Sequence, residues 1–174
     1  MKYATFFLFL YLISCGTTNV IHDYDAQQDF SLYKTYNFFP EIQTGLNQLD
    51  DKRLLRVADS IFQVRGFVKS DTPDVYVNFQ MRTRKEASNS NLGVGVGGSN
   101  GGINIGLGGA IPIGGPITFM VVTTDLIDVK KDELVWQAVA EKRFYPNTIP
   151  NLHTVFFQEV LEKSLTKYPP KKKK

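Results

Sequence analysis

Cysteine and histidine are almost missing from this 174-residue chain, which has one cysteine, Cys15, and two histidines, His22 and His153. A single cysteine excludes an internal disulfide framework, so the fold must rest on its core. Neither HxxxH, HExxH nor CxxC spacing occurs, and two isolated histidines are a poor inventory for a metal centre. Neither a metal nor any other cofactor is assigned. No Gly-x-Ser-x-Gly elbow is present. GVGVGG, residues 93–98, has the spaced glycines of a dinucleotide loop, but more glycine and then proline follow it, not a helix that would hold a pyrophosphate. A Gly-Lys-Ser/Thr ending is missing too, so nucleotide binding is rejected. The formal charge of +3 falls to −2 once Lys2 and the four terminal lysines are set aside. That balance excludes a globally basic nucleic-acid binder. Long hydrophobic runs are also lacking. The greasiest stretch, Tyr3 to Ile13, has about eleven residues, whereas a bilayer core takes roughly twenty.

What that stretch does have is the length of an export-signal h-region behind a positive Lys2. It ends in Leu12-Ile13-Ser14-Cys15, which resembles the lipobox of bacterial lipoproteins: a branched apolar residue, a tolerant position, a small residue, then cysteine. The resemblance implies cleavage between Ser14 and Cys15 and acylation of Cys15. The competing reading, a hydrophobic N-terminal helix with a buried cysteine, fits less well because GTTN after Cys15 is small and polar. One acyl chain binds a membrane marginally, at about 0.8 kcal/mol per buried methylene, while two or three hold firmly. Gly16 is not the aspartate of an inner-membrane retention signal, which favours the outer membrane. No acidic export run follows, which favours its periplasmic face. The chain thus divides into a signal (1–14), a lipidated tether (15–19), one domain (20–170) and a basic tail (171–174).

About 160 residues remain after the signal, enough for a proper core. NVIHDYD (19–25) reads as a short strand. YKTYNFF (33–39) alternates, with Tyr33, Thr35, Asn37 and Phe39 opposite Lys34, Tyr36 and Phe38. Asp50 is placed to cap a helix through LLRVADSIFQVR, with Leu54, Leu55, Ala58, Ile61 and Phe62 on one stripe and Gly66 as its C-terminal glycine. VYVNFQMRT (75–83) is a half-buried strand with Val75, Val77, Phe79 and Met81 inward. ITFMVVTTDLIDV and LVWQAVAEKRFY form a hairpin turning at KKDE, with Leu134, Trp136, Ala138 and Ala140 sharing a face. A last helix from Pro150 to Tyr168 aligns Phe157, Val160, Leu161, Leu165 and Tyr168, and Pro169-Pro170 stops it. The order predicts a single α+β domain, β-β-α-β-β-β-α. Its sheet is mainly antiparallel with two helices on one face, and it carries a glycine-rich hairpin or loop insert at 89–116.

Within the insert, Leu92, Val94 and Val96 alternate with glycine, and Ile103, Ile105 and Leu107 alternate with asparagine and glycine. Period two on both sides of SNGG describes two strands and a turn, apolar on one face and bare backbone on the other. Glycine costs strand entropy and packs nothing, so such a hairpin is weak alone. The plainer reading is a mobile extension of the sheet or a disordered loop. The sharper one makes these six apolar residues partner contacts, ordering against a protein, a lipid surface or another copy.

Asp23, Asp25 and Asp29 beside His22 are the candidates for acid–base or metal chemistry, since Asp23 and Asp25 would share a strand face. The cluster lacks the glycine and distal glutamate of a calcium loop. Turn and edge-strand charges are the commoner use of such residues.

Taken in order, DYDAQQDFSLYKTYNF, the helix ending RGF, DVYVNF, LIDVKKDELVWQAVA and a final helix closing on YPP resemble one family. These are the bacterial envelope lipoproteins carrying the domain of unknown function numbered 4136. The resemblance covers nearly the whole chain after the signal, including a glycine-rich stretch. It marks Asp29-Phe30, Tyr33, Thr35-Tyr36, Asp74 and Leu134-Trp136 as fold-defining. It implies a lipoprotein of the Gram-negative envelope with no assigned reaction, and the loose lipobox and high aromatic content suit a member of the Bacteroidota. The reading reached is a non-catalytic binding or structural lipoprotein, held in the membrane by its acyl chains and meeting an envelope protein, glycan or lipid. The alternatives are a self-assembling lipoprotein and an envelope hydrolase or metal-dependent enzyme.

Overall fold

The computed structural model describes residues 18–87, 91–93, 110–112 and 115–171. In chain order its elements are β1 (Asn19–Tyr24), β2 (Thr35–Phe38), α1 (Gln48–Val64), β3 (Val68–Lys69), β4 (Val75–Glu86), β5 (Asn91–Gly93), β6 (Ala110–Pro112), β7 (Ile117–Asp128), β8 (Glu133–Arg143) and α2 (Pro150–Ser164). Six strands form one sheet in the order β1-β8-β7-β4-β2-β3, and β5 pairs with β6. The fold is the α+β domain the sequence predicts. The sheet is mixed, because α1 carries the chain back so that β2 runs parallel to both β3 and β4. The two-residue β3 has no sequence signal of its own.

Period-two alternation sets the core. Val75, Val77 and Phe79 on β4, Val122 and Leu126 on β7, and Trp136, Ala138 and Ala140 on β8 are all buried. They face Leu54, Ala58, Ile61 and Phe62 of α1 and Phe157, Val160 and Leu161 of α2. Burying each large side chain contributes about 1.5–3 kcal/mol. Aromatic rings tie the layers together. Tyr36 stacks on Phe62 at 4.9 Å, Phe62 meets Phe67 at 5.4 Å, and Trp136 lies edge-on to Tyr168 at 5.6 Å. The tryptophan is a core anchor.

Two sequence expectations need correction. Asn47, not Asp50, caps α1: its side chain accepts from the backbone N–H of Leu49 and Asp50. Asp50 sits in the first turn, and its carboxylate receives the Asn47 side-chain amide at 2.8 Å, a reciprocal arrangement like a capping box. Leu134 does not share the face of Trp136. A bulge between Leu126 and Ile127 makes Leu126 oppose Trp136 while Ile127 opposes Leu134. Val135 is the extra residue. It is buried beside Trp136, and Leu134 is turned out to solvent. Gly66, with φ +86°, closes α1 as expected.

The glycine-rich insert joins β4 to β7. Their ladder ends with Glu86 opposite Ile117, and the β5–β6 ladder begins with Asn91 opposite Pro112. Four residues separate the two ladders on each strand (87–90 and 113–116).

Candidate functional site

Strand register determines which parts of the chain meet at each end of the sheet. Asn19 lies opposite Glu141, Phe119 opposite Arg143, and Ile117 opposite Glu86. The start of β1, the ends of β8 and β4 and the start of β7 therefore share one end. Both helices start there too, since Asp50 in the first turn of α1 meets His153 in the first turn of α2. The insert departs from this same end. Ser14 and Cys15 lie outside the described residues, but β1 begins only four positions after Cys15.

This end is braced by a buried carboxylate. Asp50 accepts from Arg53 at 2.6 Å and from the Asn47 amide, and it lies 3.0 Å from Nδ1 of His153. Burial pushes the Asp50 carboxyl up, but the His153, Arg53 and Asn47 hydrogen bonds outweigh it and hold it below its ordinary value of 3.8. Phe144 packs on His153 at 5.1 Å and Phe156 at 5.0 Å, and its backbone N–H donates to the Thr118 carbonyl. With that frame fixed, Tyr145, Ile149, Leu152 and Val155 are left exposed. They surround or adjoin a groove of about 480 Å³ lined by Tyr145, Leu152, Val155 and Phe156 with Arg143 and the Lys142–Glu159 ion pair. Arg82, Lys85 and Arg143 are exposed at this end of the sheet, Arg143 lying 5.0 Å over the Tyr145 ring.

At the other end, the acid–base candidates part company. His22 points into the domain, with Nε2 2.7 Å from the Ser164 carbonyl and its ring 5.8 Å from Trp136. Asp23 is exposed and accepts the N–H of Tyr24, Asp25 accepts that of Gln27, and Asp29 accepts the N–H and hydroxyl of Ser31 as the cap of a short 3-10 turn. Asp25 and Asp29 line a cleft of about 450 Å³ with Tyr24, Gln28 and Pro169, but His22 does not. The Asp25 and Asp29 carboxylates shape the turn after β1, Asp23 stays on the strand, and the imidazole is bonded to the Ser164 carbonyl instead. Among the described residues, no three histidine, cysteine, aspartate or glutamate side chains cluster as metal ligands.

The fold-defining positions act as such, with one exception. The Tyr33 hydroxyl donates to Asp128 at 2.7 Å. The Asp74 carboxylate accepts from the Thr35 hydroxyl and from the N–H groups of Lys34 and Thr35, which hold its pKa down. Phe30 and Tyr36 are buried, and Leu134 is the exception. Of the predicted partner contacts, Leu92 belongs to β5. Val94, Val96, Ile103, Ile105 and Leu107 lie outside the described residues. The exposed apolar and basic end was not singled out from sequence. Its signal is Ile149, Leu152 and Val155, which recur every three residues off the core stripe of α2.

A mixed six-stranded sheet with both helices on one face, and no convergent acid–base pair among its predicted candidates, defines an α+β domain built around a packed core. The chain belongs to the family described as Domain of unknown function (DUF4136), which matches residues 20–170. No curated protein matches it. Among solved structures, a PDZ domain protein from Parabacteroides distasonis is similar at 11% identity and a TM-score of 0.55. That match covers 91% of this chain and 38% of the other, so the chain spans well under half of that protein. The PelC dodecamer from Paraburkholderia phytofirmans is similar at 13% identity and a TM-score of 0.50, with 86% of this chain and 95% of the other covered. At these identities the likeness is one of fold.

Proposed function

We propose that the protein is a lipid-anchored lipoprotein of the bacterial outer membrane, facing the periplasm, whose domain has a non-catalytic binding or structural role. The observation that carries this reading is Cys15 at the end of Leu12-Ile13-Ser14-Cys15, a few residues ahead of the first strand. Support also comes from the use of the Asp25 and Asp29 carboxylates in the turn after β1, while the His22 imidazole is bonded to the Ser164 carbonyl. Among the described residues no helix is long and apolar enough to cross a membrane. Acyl chains on Cys15 would supply the hold. The test is fatty-acid labelling and membrane fractionation of the wild type against Cys15→Ser. Label and outer-membrane sedimentation lost together support the anchor, and an unlabelled wild type in the soluble fraction refutes it.

A second reading, self-assembly through the glycine-rich hairpin, is favoured by the antiparallel pairing of β5 with β6 within the insert. PelC, of similar fold, is described as a dodecamer. Deleting residues 89–116 and measuring complex size in detergent decides it. A smaller complex supports assembly through the insert, and an unchanged one removes that reading.

A further inference from the structure

Resting on the lipid-anchor reading, we propose that the end of the sheet where β1 starts is a membrane-contact surface, lying against anionic lipid headgroups through Tyr145, Ile149, Leu152, Arg82, Lys85 and Arg143. Three independent observations converge on it. The first is reach. Asn19 lies four positions after Cys15, a span of at most about 14 Å fully extended. The β4 and β7 strands have 12 residues each, so the sheet is about 40 Å long. Asn19 is therefore held near the bilayer, and with it everything the register places beside it.

The second is apolar exposure. Ile149 is 63% exposed, Tyr145 58% and Leu152 50%, clustered where β8 turns into α2. A tyrosine ring with flanking aliphatic groups suits the headgroup layer, which accepts a body that is apolar at one end and wet at the other. The third is charge. Arg82, Lys85 and Arg143 are exposed at this end, where Glu86, Glu141 and Glu159 are taken up in ion pairs with Arg84 and Lys142; toward the other end exposed Asp23, Asp25, Asp71, Asp132 and Glu133 outnumber exposed Lys34, Lys130 and Lys131. Basic groups near an anionic leaflet are attracted within a Debye length, and acidic ones are repelled. The same geometry puts the start of the glycine-rich insert at the membrane side, since it leaves the sheet between Glu86 and Ile117.

The test uses the full mature chain reconstituted in vesicles of phosphatidylethanolamine and phosphatidylglycerol. An environment-sensitive dye is placed at Leu152→Cys or, at the far end, at Leu32→Cys. Both sites are exposed, and the intact fold is checked by the fluorescence of Trp136. Expected is a blue shift with quenching by headgroup-borne nitroxide at position 152, and an aqueous signal at 32. Equal signals at the two positions, or a shift at 32 alone, would overturn the proposal. So would protection of position 152 from an aqueous quencher without lipid quenching, which marks a protein surface in its place. Fatty-acid incorporation at Cys15 is read on the same samples. Acylation with an aqueous position 152 sinks the contact surface alone, while absent acylation sinks the anchor reading beneath it.

Discussion

Removing the carboxylate that joins the two helix starts should destabilise the domain by a predictable amount. In Asp50→Ala, the Nδ1 of His153 loses its partner, the Asn47 amide loses its acceptor, and the first turn of α1 loses an acidic group at its positive end. Arg53 is partly exposed and finds water, so its contact is discounted. Two hydrogen bonds to a buried charge, at about 1–1.5 kcal/mol each after discounting, give a loss of about 2–3 kcal/mol. Asp50→Asn keeps the shape and one acceptor but not the charge, and should cost about half as much. Trp136 is the only tryptophan and is buried, so its fluorescence follows urea unfolding directly. With a slope near 2 kcal/mol/M for a domain of this size, the midpoint should fall by about 1–1.5 M for alanine. Adding His153→Ala should cost less than the sum of the single changes. A midpoint drop under about 0.3 M for Asp50→Ala, or additivity with His153→Ala, would refute the reasoning.

Acid should unfold the domain through the same logic. Burial raises the carboxyls of Asp50, Asp59 and Asp128, but in each case hydrogen bonds and nearby charge outweigh it. Backbone N–H groups hold Asp74 down directly, so all four sit below the ordinary 3.8. A lowered folded-state pKa adds stability that is present above 3.8 and lost as pH falls through the folded values. Urea midpoints should therefore be flat above about pH 5 and fall below pH 4, with Asp50→Asn flattening part of the fall; an unchanged acid limb in that variant would be contrary. Among glycines, Gly66→Ala should cost about 1 kcal/mol for its left-handed backbone alone. Gly45→Ala should cost more, because it shares the positive φ and its new Cβ would lie 3.0 Å from the Met81 carbonyl. Equal unfolding midpoints for the two would count against the close approach.

Much of the fold was legible because alternation and helical spacing are imposed by burial. Val75 through Met81 and Phe157 through Leu165 read directly as inward faces, and the structure buries them. What failed was local. Asp50 and Asn47 are both good caps, and only the position of the first helical hydrogen bond separates them. Leu134 obeyed the period, but one extra residue in β8 shifts the phase, and a bulge has no signature in an apolar run. The parallel placement of β2 needs a crossover that no dipeptide announces. The acidic cluster near His22 looked chemical because strand residues two apart share a face; the chain turns after Tyr24, and Asp25 goes to the turn. The exposed end at Tyr145 to Val155 was hidden for a different reason. Sequence gives the apolar residues, but only register tells which end of the sheet Asn19 occupies.

The anchor is most directly tested by the intact mass of the N-terminal peptide of the protein taken from envelopes. A peptide beginning at Cys15, with acyl groups on its sulfur and new amino terminus, is the result expected. A peptide running unbroken through Ser14 into a free Cys15 thiol would contradict it.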